Sequence, residues 1–211
     1  MSDKLLNKFY FNYHTQGDKT MTALILNNPE IIPITDEQFY QLCVANRELK
    51  LERTAKGDLI IMPPTGGITG NRNFKLAQQL ANWADTDGTG IGFDSSTCFK
   101  LPKGGERSPD AAWISLEKWN LLTPEQQEKF PPICPDFIIE LRSPSDSLKP
   151  LQDKMQEYMD NGCRLGWLIN RQNRQVEIYR QGQEKQTLEN PPTLSGEDIL
   201  PGFVLNLKLI M

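Results

Sequence analysis

The chain has 211 residues, 38 % hydrophobic and 24 % charged, and its net charge of −4 argues against a surface coated in positive charge, while leaving room for a local basic groove. At this length roughly 70 % of the unfolded chain's surface can be buried, so no disulfide or structural metal is needed; no apolar run spans a bilayer and no secretory signal opens the chain, which reads as cytoplasmic. A single histidine, His14, and four cysteines at 43, 98, 134 and 163 without a Cys-x-x-Cys pair speak against a zinc site and against a histidine-dependent hydrolase, and leave the cysteines as reduced core or surface residues.

Residues 1–20 read as a loose leader ahead of one domain spanning 21–211, with Met21 as an alternative start. Thr35-Asp-Glu-Gln38 forms a capping box, and Phe39, Leu42 and Cys43 continue at helical spacing to about residue 46. Leu49 to Arg53 and Asp58 to Met62 are the strands of a hairpin, turned at Ala55-Lys-Gly57. Asn71 to Ala84 predicts a helix whose buried stripe is Phe74, Ala77, Leu80, Ala81 and Ala84. Gly90 to Asp94 and Thr97 to Leu101 read as strands, followed by a Gly-rich turn at Lys103-Gly-Gly-Glu106.

Ser108-Pro-Asp110 opens a strand, Ala111 to Ser115, and residues 116–134 form an excursion with a short helix starting near Thr123-Pro124. Phe137 to Arg142 is a strong strand, stopped by Ser143-Pro-Ser-Asp146. The helix at 147–161 is amphipathic, carrying Leu148, Leu151, Met155 and Tyr158, and Asn161-Gly162 ends it. Leu165 to Ile169 and Gln175 to Tyr179 are further strands, and Leu200 to Leu207 resembles a last edge strand. Alternating helices and strands predict an α/β fold: a mixed β-sheet flanked by α-helices, with an N-terminal β-hairpin.

Side chains alternate along a strand, so Glu140 shares a face with Asp136, Ile138 and Arg142, while Phe137, Ile139 and Leu141 take the other. An acid in an apolar strand must be solvated, paired or metal-bound. Glu140 therefore reads either as half of an ion pair with Arg142 on a solvent-facing sheet or as part of a chemical site. Asp110 reads either as a strand-opening cap or, with Glu140, as an oxygen ligand for a hard divalent cation. Lys154 borders the buried stripe of its helix, and its amine either snorkels to solvent or reaches back to Glu140.

The string from Pro135 to Arg180, PDFIIELRSPSDSLKPLQDKMQEYMDNGCRLGWLINRQNRQVEIYR, with LERTAKGDLIIMPPTGG, SPDAAWIS and ILPGFVLNL, resembles the Uma-two family of endonucleases over most of residues 22–207. That family belongs to the PD-(D/E)xK superfamily, and the resemblance implies a restriction-endonuclease-like fold. It makes Asp110 and Glu140 metal ligands, joined by the backbone carbonyl of Leu141, and Glu52 an acid that completes the site. Mg²⁺, or Mn²⁺ in its place, would be the cofactor, and DNA the nucleic-acid substrate of a chain able to pair as a homodimer. The sequence departs from the pattern at Arg142, which stands where lysine is expected. An arginine stays protonated and cannot act as a general base, though it can grip a phosphate. Lys154 would supply the lysine function from the next helix. Failing that, the chain would be a catalytically weakened nucleic-acid-binding or protein-interaction module that keeps the fold. Arg72, Lys75, Lys100, Lys103 and Arg107 read as phosphate contacts or as scattered surface charge.

Overall fold

The structure, a computed structural model, describes residues 23–27 and 34–211; the leader and Met21 lie outside the described residues. In chain order β1 (Leu24–Leu26), α1 (Asp36–Ala45), β2 (Lys50–Arg53), β3 (Leu59–Met62) and α2 (Gly67–Asp87) come first. Next are β4 (Gly90–Asp94), β5 (Phe99–Lys100), β6 (Glu106–Arg107), β7 (Ala111–Ser115), α3 (Leu116–Trp119) and α4 (Pro124–Glu128). The remainder is β8 (Phe137–Leu141), α5 (Leu148–Asp160), β9 (Leu165–Asn170), β10 (Gln175–Arg180), β11 (Gln186–Glu189), β12 (Thr193–Ser195) and β13 (Val204–Asn206). Among the described residues, no helix is long and apolar enough to cross a membrane.

The main sheet has six strands in the order β11-β10-β9-β8-β7-β4. Only β8 and β9 run parallel, because α5 crosses between them; the other neighbours are antiparallel. Phe137, Ile139 and Leu141 pack with Leu76, Leu80 and Ala84 of α2 on one face. Ile138 packs with Ala112, Leu168, Met155 and Tyr158 on the face covered by α5. With both faces covered, all five residues of β8 are buried, which explains its near-continuous apolar run. The solvent-facing sheet considered for Glu140 is thereby overturned.

A smaller sheet takes the order β1-β3-β2-β6-β5 and contains the expected hairpin, turned where Gly57 adopts a φ of 89°. Helix α1 covers it through Phe39, against Leu51 and Cys98. Both halves of the Thr35–Gln38 capping box are formed. The chain passes from the small sheet to the main one through Ser108 and Pro109, between β6 and Asp110. That short passage brings residues of both sheets to one junction.

Two further expectations are corrected. In the stripe of α2, Leu80 and Ala84 are buried as expected, but Phe74 is 62 % exposed and Ala81 is exposed, and Leu76 completes the buried line. Leu76, Leu80 and Ala84 follow one another at four-residue spacing, and that line meets the sheet. The segment after Leu200 is not an edge of the main sheet. Its strand β13 pairs with β12 in a separate two-stranded ribbon. Phe203, Leu205 and Leu207 are buried, with Phe203 stacked 5.9 Å from Trp167. Its alternating apolar residues cover the sheet's face rather than extend its edge, and β11 and β4 are the edge strands.

Candidate active site at the junction of two sheets

Lys154 occupies the junction. It precedes Met155 and lies one helical turn before Tyr158, two residues that α5 buries against the sheet. Its Nζ is 2.7 Å from Glu140 Oε1 on β8 and 2.8 Å from Glu52 Oε1 on β2, and donates to the Ser108 carbonyl at 3.2 Å. The side chain is only 11 % exposed. Of the two readings of Lys154, the structure shows the amine turned inward.

Glu52 is bound from every side. Arg107 Nη1 donates to its Oε2 at 3.1 Å and the Ser108 amide to its Oε1 at 3.0 Å. Arg107 is held in turn by Glu157 of α5, at 2.7 Å from Nε to Oε2. Burial alone would raise the Glu52 carboxyl, but Lys154 and Arg107 outweigh it and hold it down at about 2. For Glu140, Tyr158 adds an O–H donor to Oε1 at 3.2 Å. Here burial wins over Lys154, the nearby Asp110 and Glu52 carboxylates add to it, and the carboxyl is pushed up to about 7. Lys154 sits between two carboxylates that outweigh its own burial, so its pKa is raised and it remains an ammonium.

Asp110 stands just ahead of β7. The pairing of Ala111 with Ile139 and of Ala112 with Ile138 continues to place Asp110 opposite Glu140. Its Oδ2 accepts the Leu141 amide at 2.8 Å and its Oδ1 accepts Asn73 Nδ2 at 3.0 Å. A strand residue's N–H and C=O leave by the same edge, so the Leu141 carbonyl is on Asp110's side of β8. Burial raises the Asp110 carboxyl above its ordinary range, with the Leu141 amide and Lys50 opposing.

Arg142 lies apart from this group. Beyond the end of β8 its side chain turns into the Ser143–Asp146 turn, donating to the Asp146 carbonyl at 3.0 Å and to Asn170 Oδ1 at 3.1 Å. The Glu140–Arg142 ion pair is therefore corrected: Glu140 pairs with Lys154. Arg107, considered as a phosphate contact, is instead buried between Glu52 and Glu157, and Lys100 pairs with Asp36 at 2.5 Å. Tyr158, Glu157, Ser108 and Asn73 were not singled out from sequence. Tyr158 was visible only as a stripe residue, and Asn73 only as a polar position on an amphipathic helix.

Asp110, Glu140 and the Leu141 carbonyl are an all-oxygen donor set, the chemistry a hard divalent cation requires. Among the described residues no three His, Cys, Asp or Glu side chains converge as a metal site, so two carboxylates would need neutral oxygens beside them. Asn73 Oδ1, buried and without a hydrogen-bond partner, adjoins Asp110. The donors present fit such an ion.

The family model described as Uma2, putative restriction endonuclease, matches residues 36–208. A crystal structure of a putative nuclease belonging to DUF820 from Anabaena variabilis ATCC 29413 superposes with a TM-score of 0.65 at 19 % identity. The match covers 77 % of this chain and 90 % of that one, and shows a shared fold. No curated protein matches.

Proposed function

The chain belongs to the Uma2 restriction endonuclease family, and from that premise we propose that it is a Mg²⁺-dependent endonuclease hydrolysing phosphodiester bonds in DNA. Mn²⁺ would substitute for Mg²⁺. Asp110, Glu140 and the Leu141 carbonyl would hold the ion, which when bound supplies Lewis-acid charge at the scissile phosphate. Lys154 acts as a fixed ammonium whose positive charge beside the ion offsets the negative charge developing on the reacting phosphate. Glu52 orients Lys154 and is itself anchored by Arg107. Asn73 and the Leu141 amide hold the Asp110 carboxylate in one rotamer.

The observation that carries this reading is the ammonium of Lys154 at 2.7 Å from Glu140, beside Asp110 on the neighbouring strand. It supports a lysine function delivered from α5 in place of Arg142. The test is cleavage of supercoiled plasmid with Mg²⁺ or Mn²⁺ by wild type and by Asp110→Asn. Wild type is expected to nick or linearise the plasmid, and the variant to lose at least about 100-fold in rate, beyond what removing an outer-shell group costs. Equal activity in both would exclude Asp110 as a ligand. DNA retention without cleavage by wild type would favour the binding module.

A further inference from the structure

Four buried side-chain nitrogen or oxygen atoms among the described residues have no hydrogen-bond partner: Asn73 Oδ1, Trp113 Nε1, Trp167 Nε1 and Arg171 Nε. The three nitrogens are N–H donors, which cannot bind a cation. Asn73 Oδ1 is the one acceptor. A buried acceptor left unpaired is a standing cost, and a structure that keeps one points to a partner supplied from outside the chain.

The position of Asn73 says which partner. It lies in the second turn of α2, and its Nδ2 donates to Asp110 Oδ1 at 3.0 Å. A carboxylate oxygen only accepts, so this bond decides which end of the amide is nitrogen. The amide oxygen, about 2 Å from that nitrogen by covalent geometry, is therefore left beside Asp110 with nothing to accept. Two carboxylates and one backbone carbonyl fall short of the roughly six oxygens that a hard divalent cation takes. Water supplies some of these, but a preformed, buried amide oxygen costs less ordering than a water does.

We propose that Asn73 contributes its side-chain carbonyl to the divalent cation shared by Asp110 and Glu140, a ligand from α2 that lies outside the acidic motif. This assignment rests on the metal-dependent reading of the site above. It also accounts for the double use of one amide: the nitrogen steadies Asp110 while the oxygen faces the ion.

The test is calorimetric titration of Mn²⁺ into the full chain and into Asn73→Leu, Asn73→Asp and Asp110→Asn, with circular dichroism and urea unfolding confirming the fold. Asn73→Leu is expected to weaken Mn²⁺ binding by about 10-fold or more. Asn73→Asp keeps an oxygen at the site but loses the N–H donor, and is expected to bind at least as tightly as wild type. If Asn73 served only as a donor to Asp110, the aspartate would weaken binding as the leucine does, and the proposal would fall. Asn73→Ala provides the same comparison should the leucine variant not fold. Wild-type affinity in the Asn73 variants, with binding lost in Asp110→Asn, overturns the Asn73 assignment alone. Absence of Mn²⁺ binding by wild type removes the metal reading and this assignment together.

Discussion

Glu52 on the small sheet and Glu140 on the main sheet are 2 % and 5 % exposed, and both accept a bond from the Lys154 ammonium. Their carboxyls nevertheless settle at about 2 and about 7. The difference lies in what surrounds the shared lysine. Glu52 has a second cation in Arg107 and a backbone donor in Ser108. Glu140 has a neutral phenol in Tyr158 and a like charge in Asp110. Burial acts on both; the count of cations within reach decides the outcome. The small-sheet side is electrostatically complete and holds the lysine in place. The main-sheet side is short of positive charge, which is the condition a divalent cation relieves.

The largest expected effect comes from removing the shared cation. Lys154→Met would leave the buried Glu140 carboxylate without a cation and Glu52 with Arg107 alone, at a cost of about 3–5 kcal/mol. Urea unfolding should show the midpoint falling at unchanged slope. A loss below about 1 kcal/mol would mean that the junction does not depend on this ion pair.

Acid titration separates the two carboxylates by sign. Glu52 sits below its unfolded value of 4.5, so the native state binds fewer protons than the unfolded state between about 2 and 4.5. Its stabilisation is complete above that window and is lost as pH falls through it. Glu140 sits above 4.5, so its contribution is complete below that value and is lost as pH rises through about 7. In chelator, unfolding free energies across pH should therefore show Glu52→Gln flattening the acid limb and Glu140→Gln flattening the decline toward neutrality. Both variants acting on the same limb would break the comparison.

The smallest effect tests the phenol. Tyr158→Phe removes one buried donor to Glu140 and should cost about 1 kcal/mol in thermal or urea unfolding. Neutral behaviour would leave Lys154 as the sole determinant on that side.

Much of the fold was legible because its signals are local. The Thr35 capping box, the Gly57 turn and the apolar stripe of α5 each depend on residues close together in the chain, and each appears where the pattern placed it. The strands flanking the 116–134 excursion were likewise legible, and pair side by side as β7 and β8. The stripe of α2 was legible at Leu80 and Ala84, but only packing decided that Leu76 and not Phe74 completes it. The Glu140–Arg142 pair failed because Arg142 lies past the end of β8, where its guanidinium meets Asn170 and the Asp146 carbonyl. Past that point the Ser143–Asp146 turn directs the side chain.

The candidate site divides the same way. Asp110, Glu140 and Lys154 are visible as an acid before a strand, an acid inside one, and a cation on the edge of a buried stripe. Sequence determined that these groups exist, on which elements, and that the chain alternates helices and strands around them. It also carried enough of the family pattern for the fold to be expected. Tertiary structure decided which charge each group meets: Glu52 pairs with Arg107 across 55 positions and with Lys154 across 102. Capping and periodicity are contests among near neighbours, settled by a few backbone hydrogen bonds. A carboxylate's partner, and with it its pKa and its fitness to hold a cation, depends on atoms that come within about 3 Å only once two sheets and α5 have closed on one another.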